Sequence, residues 1–428
     1  MEPWQVLYNV VLSASWPLFW LFYRIEERTT GKYAASYPHR LGLRLPDPSP
    51  ANSRPVWIHA LSVGETLSTL PLVHRIKALR PDVPLWFSTA TDKGYRVARK
   101  DLGTVAEAVF FLPHDHLWNM TRLVARLNPA VFVLVETDLW PNLLWVLKKR
   151  HVPAFMVNAR LSPRSFSRYA RLASLGRRIL DSLDRIYVQS QEDAHRFARL
   201  GVPPDRLRVA GNLKFDLAVL QKEKFSTGRD GFRLLGARQR PVWIAGSTHH
   251  GEEGLVLDAH RGILRQNPDA LLILAPRHIE RTPAITRLCD ERSLRWELRS
   301  RGRPIGDAHV FVLDSIGELA SFYPMARGAF IGGSFVPLGG HNPLEAAVHG
   351  VPCCWGPHLY NFREIEAFLV KEGCGRPVGN GDALSAFILE TMADALWDPQ
   401  RRMDCARKVC AQAGAASMLA RDITALLA

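Results

Sequence analysis

Residues 130–144 read AVFVLVETDLWPNLL. The unbroken apolar run from Ala130 to Val135, rich in valine and without alternation, is the pattern of a strand buried on both faces of a parallel sheet. Glu136 closes the run. In open parallel sheets, ligands bind beyond the carboxyl ends of the strands, so this carboxylate falls where chemistry is expected.

Similar runs lie on either side. VWIHAL (56–61), PLWFST (84–89), AFMVNA (154–159) and RIYVQS (185–190) recur with helical stretches between them. After GNLKFD (211–216) a polar segment bearing lysine and glycine extends to about Arg240. The alternation then resumes with VWIAGS (242–247), LLILAP (271–276), VFVLD (310–314), AFIGGS (329–334) and VPCCWG (351–356). This pattern predicts two doubly wound, Rossmann-like α/β domains facing a cleft. At 428 residues, two domains are also what the chain length implies. The predicted boundaries are 1–24 for an apolar amino-terminal segment, 25–216 for the first domain, 217–240 for a linker and 241–428 for the second domain.

The net charge of +14 is unevenly placed: residues 1–214 hold 30 Lys and Arg against 17 Asp and Glu, while residues 215–428 hold 25 against 24. The first half therefore suits something anionic, and nucleic acid, an anionic membrane and a phosphorylated substrate all qualify. The run Val6–Tyr23 carries no charge, has Trp4, Trp16, Trp20 and Tyr23 at or near its ends, and is followed by Arg24, Arg28 and Lys32. It reads as a membrane anchor, spanning or lying in the bilayer, with the body on the cytoplasmic side. A buried apolar helix of the domain is the alternative. All six cysteines lie in the second half and none forms a CxxC pair, which fits a reducing compartment and argues against disulfides or zinc. No other residue cluster has metal-ligand spacing, so metal- and cofactor-independent chemistry is expected, and His249-His250 reads as a loop pair.

Moving a group from a phosphorylated donor to an alcohol needs a base and a means of holding the departing phosphate. Glu65 emerges at a helix start after VWIHAL, Ser62, Val63 and Gly64, and is either that base or a carboxylate that complements the helix dipole. Glu136 is a second carboxylate for the site, or else a partner for a nearby cation. Lys214, in GNLKFD, either neutralises developing charge or is a solvated linker residue. Pro276 and Arg277 end LLILAP, and a guanidinium fork suits phosphate. Between Gly332 and Glu345, Asn342 is placed to cap a helix, with Pro343 first, Leu344 next and Glu345 as capping-box partner or ribose acceptor. Such a helix start offers free N–H groups to a phosphate. Arg160, Arg164, Arg168, Arg171, Arg177 and Arg178 form either a solvated face or a phosphate-binding one.

The segments HALSVGE (59–65), ETDLWPNLL (136–144), NARLSPRS (158–165), QSQEDAHRFARLGV (189–202), GNLKFD (211–216), AGSTHHGEE (245–253), LAPRHIER (274–281), GGSFVPLGGHNPLEAA (332–347) and GPHLYNFREI (356–365) together resemble the bacterial 3-deoxy-D-manno-octulosonic acid (Kdo) transferases over nearly the whole chain. The resemblance implies a GT-B glycosyltransferase fold with an amino-terminal anchor in the inner membrane and the body on its cytoplasmic face. It further implies an acceptor-binding first domain and a second domain that binds CMP-Kdo, with Kdo transferred by inversion onto a lipid A precursor for lipopolysaccharide. By position, Glu65 matches the family's general base, and Glu136 with Lys214 the pair that stabilises the transition state. Pro276 and Arg277, Ile316 with Gly317 and Glu318, and Asn342 through Glu345 match its CMP-contacting segments. Ser315-Ile316 replaces a frequent Thr-Met, and Ala346 a common proline, so a side-chain contact at Ile316 would alter nucleotide affinity. The rival enzyme readings are a heptosyltransferase or a nucleotide-sugar epimerase. A non-catalytic RNA- or membrane-binding protein would not need this set of carboxylates and a capped glycine-rich loop.

Overall fold

A computed structural model describes residues 2–31, 33, 36–48, 50, 53–171, 173–225, 240–393 and 398–427. The chain forms two compact units, residues 1–217 with 413–428, and residues 218–412.

The first unit is built on strands β1 (Val56–His59), β2 (Leu85–Thr89), β3 (Ala108–Phe111), β4 (Val131–Val135), β5 (Ala154–Ala159), β6 (Arg185–Val188) and β7 (Leu207–Val209). They lie in the order β3-β2-β1-β4-β5-β6-β7, all parallel. Chain order reverses between β1 and β4, so the crevice at the carboxyl ends of these two strands is the ligand position that topology favours. β4 is fully buried, as its valine run requires. Separate apolar clusters, one holding Trp57, Phe132 and Leu134 and the other Ile58, Val131 and Val133, cover its two faces.

The second unit repeats the plan with β8 (Val242–Thr248), β9 (Leu271–Pro276), β10 (Trp296–Leu298), β11 (Val310–Val312), β12 (Gly328–Ile331), β13 (Cys353–Trp355) and β14 (Gly375–Pro377). Their order is β10-β11-β9-β8-β12-β13-β14, with the reversal between β8 and β12. All ten apolar runs read from the sequence coincide with strands. β3, β7, β10 and β14 were not among them, and each is a sheet edge. β10 and β14 are only partly buried, so they lack the apolar run of a central strand. β3 carries that run, AVFF, and the same reading should have found it.

Two boundaries differ from expectation. Residues 217–225 are not linker: one helix, Leu213–Phe225, carries the chain across the unit boundary, and the expected linker's residues 226–239 lie outside the described residues. The second domain does not extend to residue 428, because the terminal helix Ala415–Thr424 belongs to the first unit. Ala415, Ala416, Leu419, Ala420 and Ile423 share a core with Val56, Ile58, Leu72 and Ile76. Asp216 receives the amides of Gly414 and Ala416 at 3.0 and 3.2 Å, and Tyr187 donates to Asp422 at 2.6 Å.

The amino-terminal run forms a single helix, Pro3–Thr30, passing through Pro17. Of its described residues only Gln5 and Tyr23 are buried, so it is not an internal core helix. One face is tied to the first unit by polar contacts. Tyr8 donates to Asp115 at 3.0 Å, the amides of Asn9 and Asn142 exchange hydrogen bonds at 3.0 and 2.9 Å, and Tyr23 Oη meets His114 Nε2 at 2.9 Å. Phe19 stacks on His114. Leu7, Val10, Val11, Leu18 and Leu21 are exposed.

Candidate active site

In the first unit, β1 leads through Ala60 and Leu61 to Ser62, which caps the helix Val63–Ser68 by accepting the Glu65 amide. Glu65 returns the favour: its Oε2 accepts the Leu61 amide at 2.7 Å and its Oε1 the Ser62 hydroxyl at 2.9 Å. The dipole-complementing reading is therefore realised, but it leaves the group unusual. Burial, followed by the charge of Glu136, pushes the Glu65 carboxyl up to about 7, against the pull of Leu61 and Ser62. A carboxylate with that affinity for protons is matched to base chemistry near neutrality.

Glu136 follows β4, the strand beside β1, in a left-handed conformation (φ 60°) that is costly for a non-glycine residue. Its amide donates to Val157 O at 2.9 Å, and its carboxylate stands 3.7 Å from Arg160 Nε, the cation partner that was the alternative reading. Glu65 and Glu136 thus flank the topological reversal. Asp138 adds a third carboxylate, held by Trp140 Nε1 at 2.8 Å and raised in pKa by burial. His59, fully buried at the end of β1, contacts Ser88 Oγ through Nδ1 at 2.9 Å and stands 4.0 Å from Asp138. Burial lowers its pKa to about 3, so it is neutral. The sequence reading did not single out His59. Its position at the carboxyl end of a buried strand was the available signal.

Lys214 lies in the first turn of the helix Leu213–Phe225. Asn158, the left-handed residue of β5, accepts the Leu213 amide at 3.0 Å, and Gln189 links Asn158 to Asn212. This network fixes the helix start that bears Lys214 to the strand next to Glu136. Arg164, Arg168 and Arg171 are exposed on the helix Pro163–Arg171.

In the second unit, the site residues gather where β8 and β12 end. Glu252 is fully buried, and its carboxylate accepts four backbone amides: His249 and Gly333 at 2.9 and 2.7 Å on Oε2, Ser334 and Phe335 at 2.9 Å each on Oε1. A side chain at Gly332 would stand 2.4 Å from Ser247 O, so the loop passes β8 too closely for any residue but glycine. The expected free amides are thus largely in use. Nor does the predicted capping box form: the helix is one turn, Leu344–Ala347, and Asn342 Oδ1 accepts from Leu344 at 3.2 Å, two residues on rather than three.

Glu345 is instead raised to about 7 by burial, with Arg277 pulling it down. Arg277 itself, following Pro276 at the end of β9, is exposed. His249 is not paired with His250: its Nε2 lies 2.8 Å from Nε2 of His341, the rings stacked within 3° of parallel. Ile316 is 76% exposed beside Gly317 (φ 90°), while Glu318 is held by Arg299 at 2.9 Å and by Ser315. Sequence reasoning missed Glu252, whose partners are brought in only by folding.

The fold is shared with solved structures, among them a UDP-GlcNAc 2-epimerase from Neisseria meningitidis (TM-score 0.60, 12% identity, 86% of this chain and 99% of that one). Two doubly wound α/β domains of this kind make up the GT-B fold, that of a large class of glycosyltransferases. The family model for 3-deoxy-D-manno-octulosonic-acid transferase (kdotransferase) matches residues 35–217. The 3-deoxy-D-manno-octulosonic acid transferase of Haemophilus influenzae is 33% identical over 90% of both chains, and that of Bordetella pertussis 33% identical over 92% of both. The chain belongs to the 3-deoxy-D-manno-octulosonic acid transferase family.

Proposed function

We propose that this protein transfers Kdo from CMP-Kdo to a sugar hydroxyl of a lipid A precursor, with inversion. The observation that carries the reading is the Glu65 carboxyl, raised to about 7 among Glu136 and Asp138 at the first unit's topological reversal. Glu65 takes the acceptor's proton as the acceptor oxygen bonds to the anomeric carbon. The bond from that carbon to the phosphate oxygen breaks, its electron pair stays on the oxygen, and CMP departs. Lys214 and Glu136 balance charge at the transferred centre. Pro276, Arg277, residues 316–318 and 342–345 hold the nucleotide, with Glu345 directed to the ribose and Arg277 to the phosphate.

Incubation with CMP-Kdo generated in situ and a tetraacylated lipid A precursor should yield a lipid heavier by one or more Kdo residues, counted by mass spectrometry. CMP should raise the melting temperature more than UDP or ADP does. Protection by UDP or ADP without protection by CMP would replace this reading by the heptosyltransferase or epimerase one.

The amino-terminal helix is read as lying in the cytoplasmic leaflet rather than crossing the inner membrane. Crossing would carry the Asp115, Asn142 and His114 contacts into hydrocarbon, where polar groups are costly. Lying flat, the helix sinks Leu7, Val10, Leu18 and Leu21 into the acyl boundary and leaves Arg24 and Arg28 near headgroups. A protease-sensitive tag fused before Met1 should be cleaved in inside-out vesicles and protected in intact spheroplasts. The reverse pattern would establish a spanning helix.

A further inference from the structure

The phosphate-holding groups of the second unit can be narrowed by elimination. A glycine-rich turn at a strand tip ordinarily grips phosphate with its amides. Here Gly333, Ser334 and Phe335 give theirs to Glu252, Gly340 and His341 donate to the carbonyls of Gly333 and Gly332, and Leu344 donates to Asn342. With those amides engaged, side chains are needed for part of the grip.

Beside Arg277 stand two imidazoles that no role yet assigned uses. His249 follows β8 and His341 follows the loop after β12, so they sit at the second sheet's topological reversal. Gly333, at φ 70°, passes both rings so closely that a Cβ there would lie 3.2 Å from His341 and 3.4 Å from His249. A 2.8 Å contact between two Nε2 atoms requires one hydrogen between them, donated by one ring and accepted by the other. A second proton on the accepting Nε2 would set two N–H groups against each other. Burial also lowers the proton affinity of both rings, so the ligand-free pair is neutral and satisfies itself.

We propose that His249 and His341 together form the phosphate-receiving element of this unit, opening from their mutual hydrogen bond and taking up one proton from solvent as the nucleotide phosphate arrives. The inference rests on the reading of this unit as the nucleotide-binding one. With the extra proton both Nε2 atoms become donors, and a phosphate oxygen accepts from each. When the bond to the sugar breaks, the phosphate gains a negative charge and the imidazolium already faces it.

The surrounding charges agree with this switch. Burial first, then Arg277, keeps the His341 pKa down at about 4 in the free protein, and burial also lowers that of His249. His278 stands edge-on to His249 with centroids 5.6 Å apart and disfavours a second cation. Glu252 and Glu253, at the start of the helix Glu253–Gln266, favour one. Glu345 lies within reach of the Arg277 charge. The arriving phosphate, singly charged in the donor and doubly charged in CMP, offsets Arg277 and His278, and so tips the balance towards protonation.

Titration calorimetry of the full chain with CMP at pH 7.5, where a phosphate monoester is already mostly a dianion, tests this in two buffers of different ionisation enthalpy. The expected result is uptake of about half a proton or more per CMP bound, and none for cytidine, which lacks the phosphate. His249→Asn and His341→Asn should each abolish the uptake and weaken CMP by about tenfold, with circular dichroism unchanged. His278→Asn should retain the uptake. CMP binding without proton uptake would show that a tautomer shift suffices and would overturn the inference. So would uptake that persists in both pair variants or disappears with His278. Failure of the folded wild-type chain to bind CMP would instead remove the nucleotide reading beneath it.

Discussion

Glu65→Gln is expected to lower turnover by about 100-fold or more while leaving CMP affinity unchanged. Glutamine suits the substitution because it can still accept from the Leu61 amide and meet Ser62, as Gln does in capping boxes. The helix start is then preserved, and the lost quantity is basicity alone. Alanine would lose the cap as well, and its defect would mix folding with chemistry. The pH profile gives a second readout. The base works only when ionised, and burial with the Glu136 charge holds its pKa at about 7, so the wild-type rate should fall as pH drops through that value. Glu136→Gln removes the second-largest cause of the rise, so it should move the midpoint to lower pH whatever it does to the maximum rate. A Glu65→Gln enzyme with near-wild-type turnover would take Glu65 out of the mechanism. A profile that stays flat from pH 8 to below about 6 would do the same.

The second large effect concerns Glu252. Replacing it by alanine leaves four amides, buried at Gly333 and Ser334 and partly buried at His249 and Phe335, without their acceptor. Each unsatisfied group costs about 1–3 kcal/mol, so the second unit should lose several kcal/mol. For a unit of this size that corresponds to a fall of roughly 10 °C or more in its melting temperature. Because the same carboxylate shapes the loop from Gly332 to His341, CMP should no longer protect the variant against heat. Glu252→Gln should fall between the two, since one oxygen still accepts while the amide nitrogen faces two donors. Differential scanning calorimetry with and without CMP separates the outcomes. An alanine variant that melts with the wild type and is still protected would show that the loop holds itself.

What could be read from the residues follows from where they stand in the chain. Glu65, Glu136 and Pro276 each end or follow an apolar run, and a buried parallel strand announces its own end by the change from apolar to polar. The three carboxylates Glu65, Glu136 and Asp138 illustrate the limit. Each was visible in its segment, but their mutual electrostatic reach exists only because β1 and β4 are neighbours although β2 and β3 intervene in the chain. The boundary at residue 428 failed for a related reason. The terminal helix is apolar along Ala415, Leu419 and Ile423, and that stripe requires a partner without specifying which domain supplies it.

Two doubly wound domains, the strand ends that supply the candidate site residues, an apolar amino-terminal helix and the family were all legible in the chain, because they depend on local periodicity and on ordered short motifs. Folding alone brings His249 against His341, 92 residues away, gives Glu252 the amides of Gly333 and Ser334, and docks the first helix through Tyr8 and Asn9. The first two of these follow from strand order, which places β8 against β12 although three strands intervene in the chain. Burial and hydrogen-bond satisfaction summed over the whole unit select that order, and no single segment carries the sum.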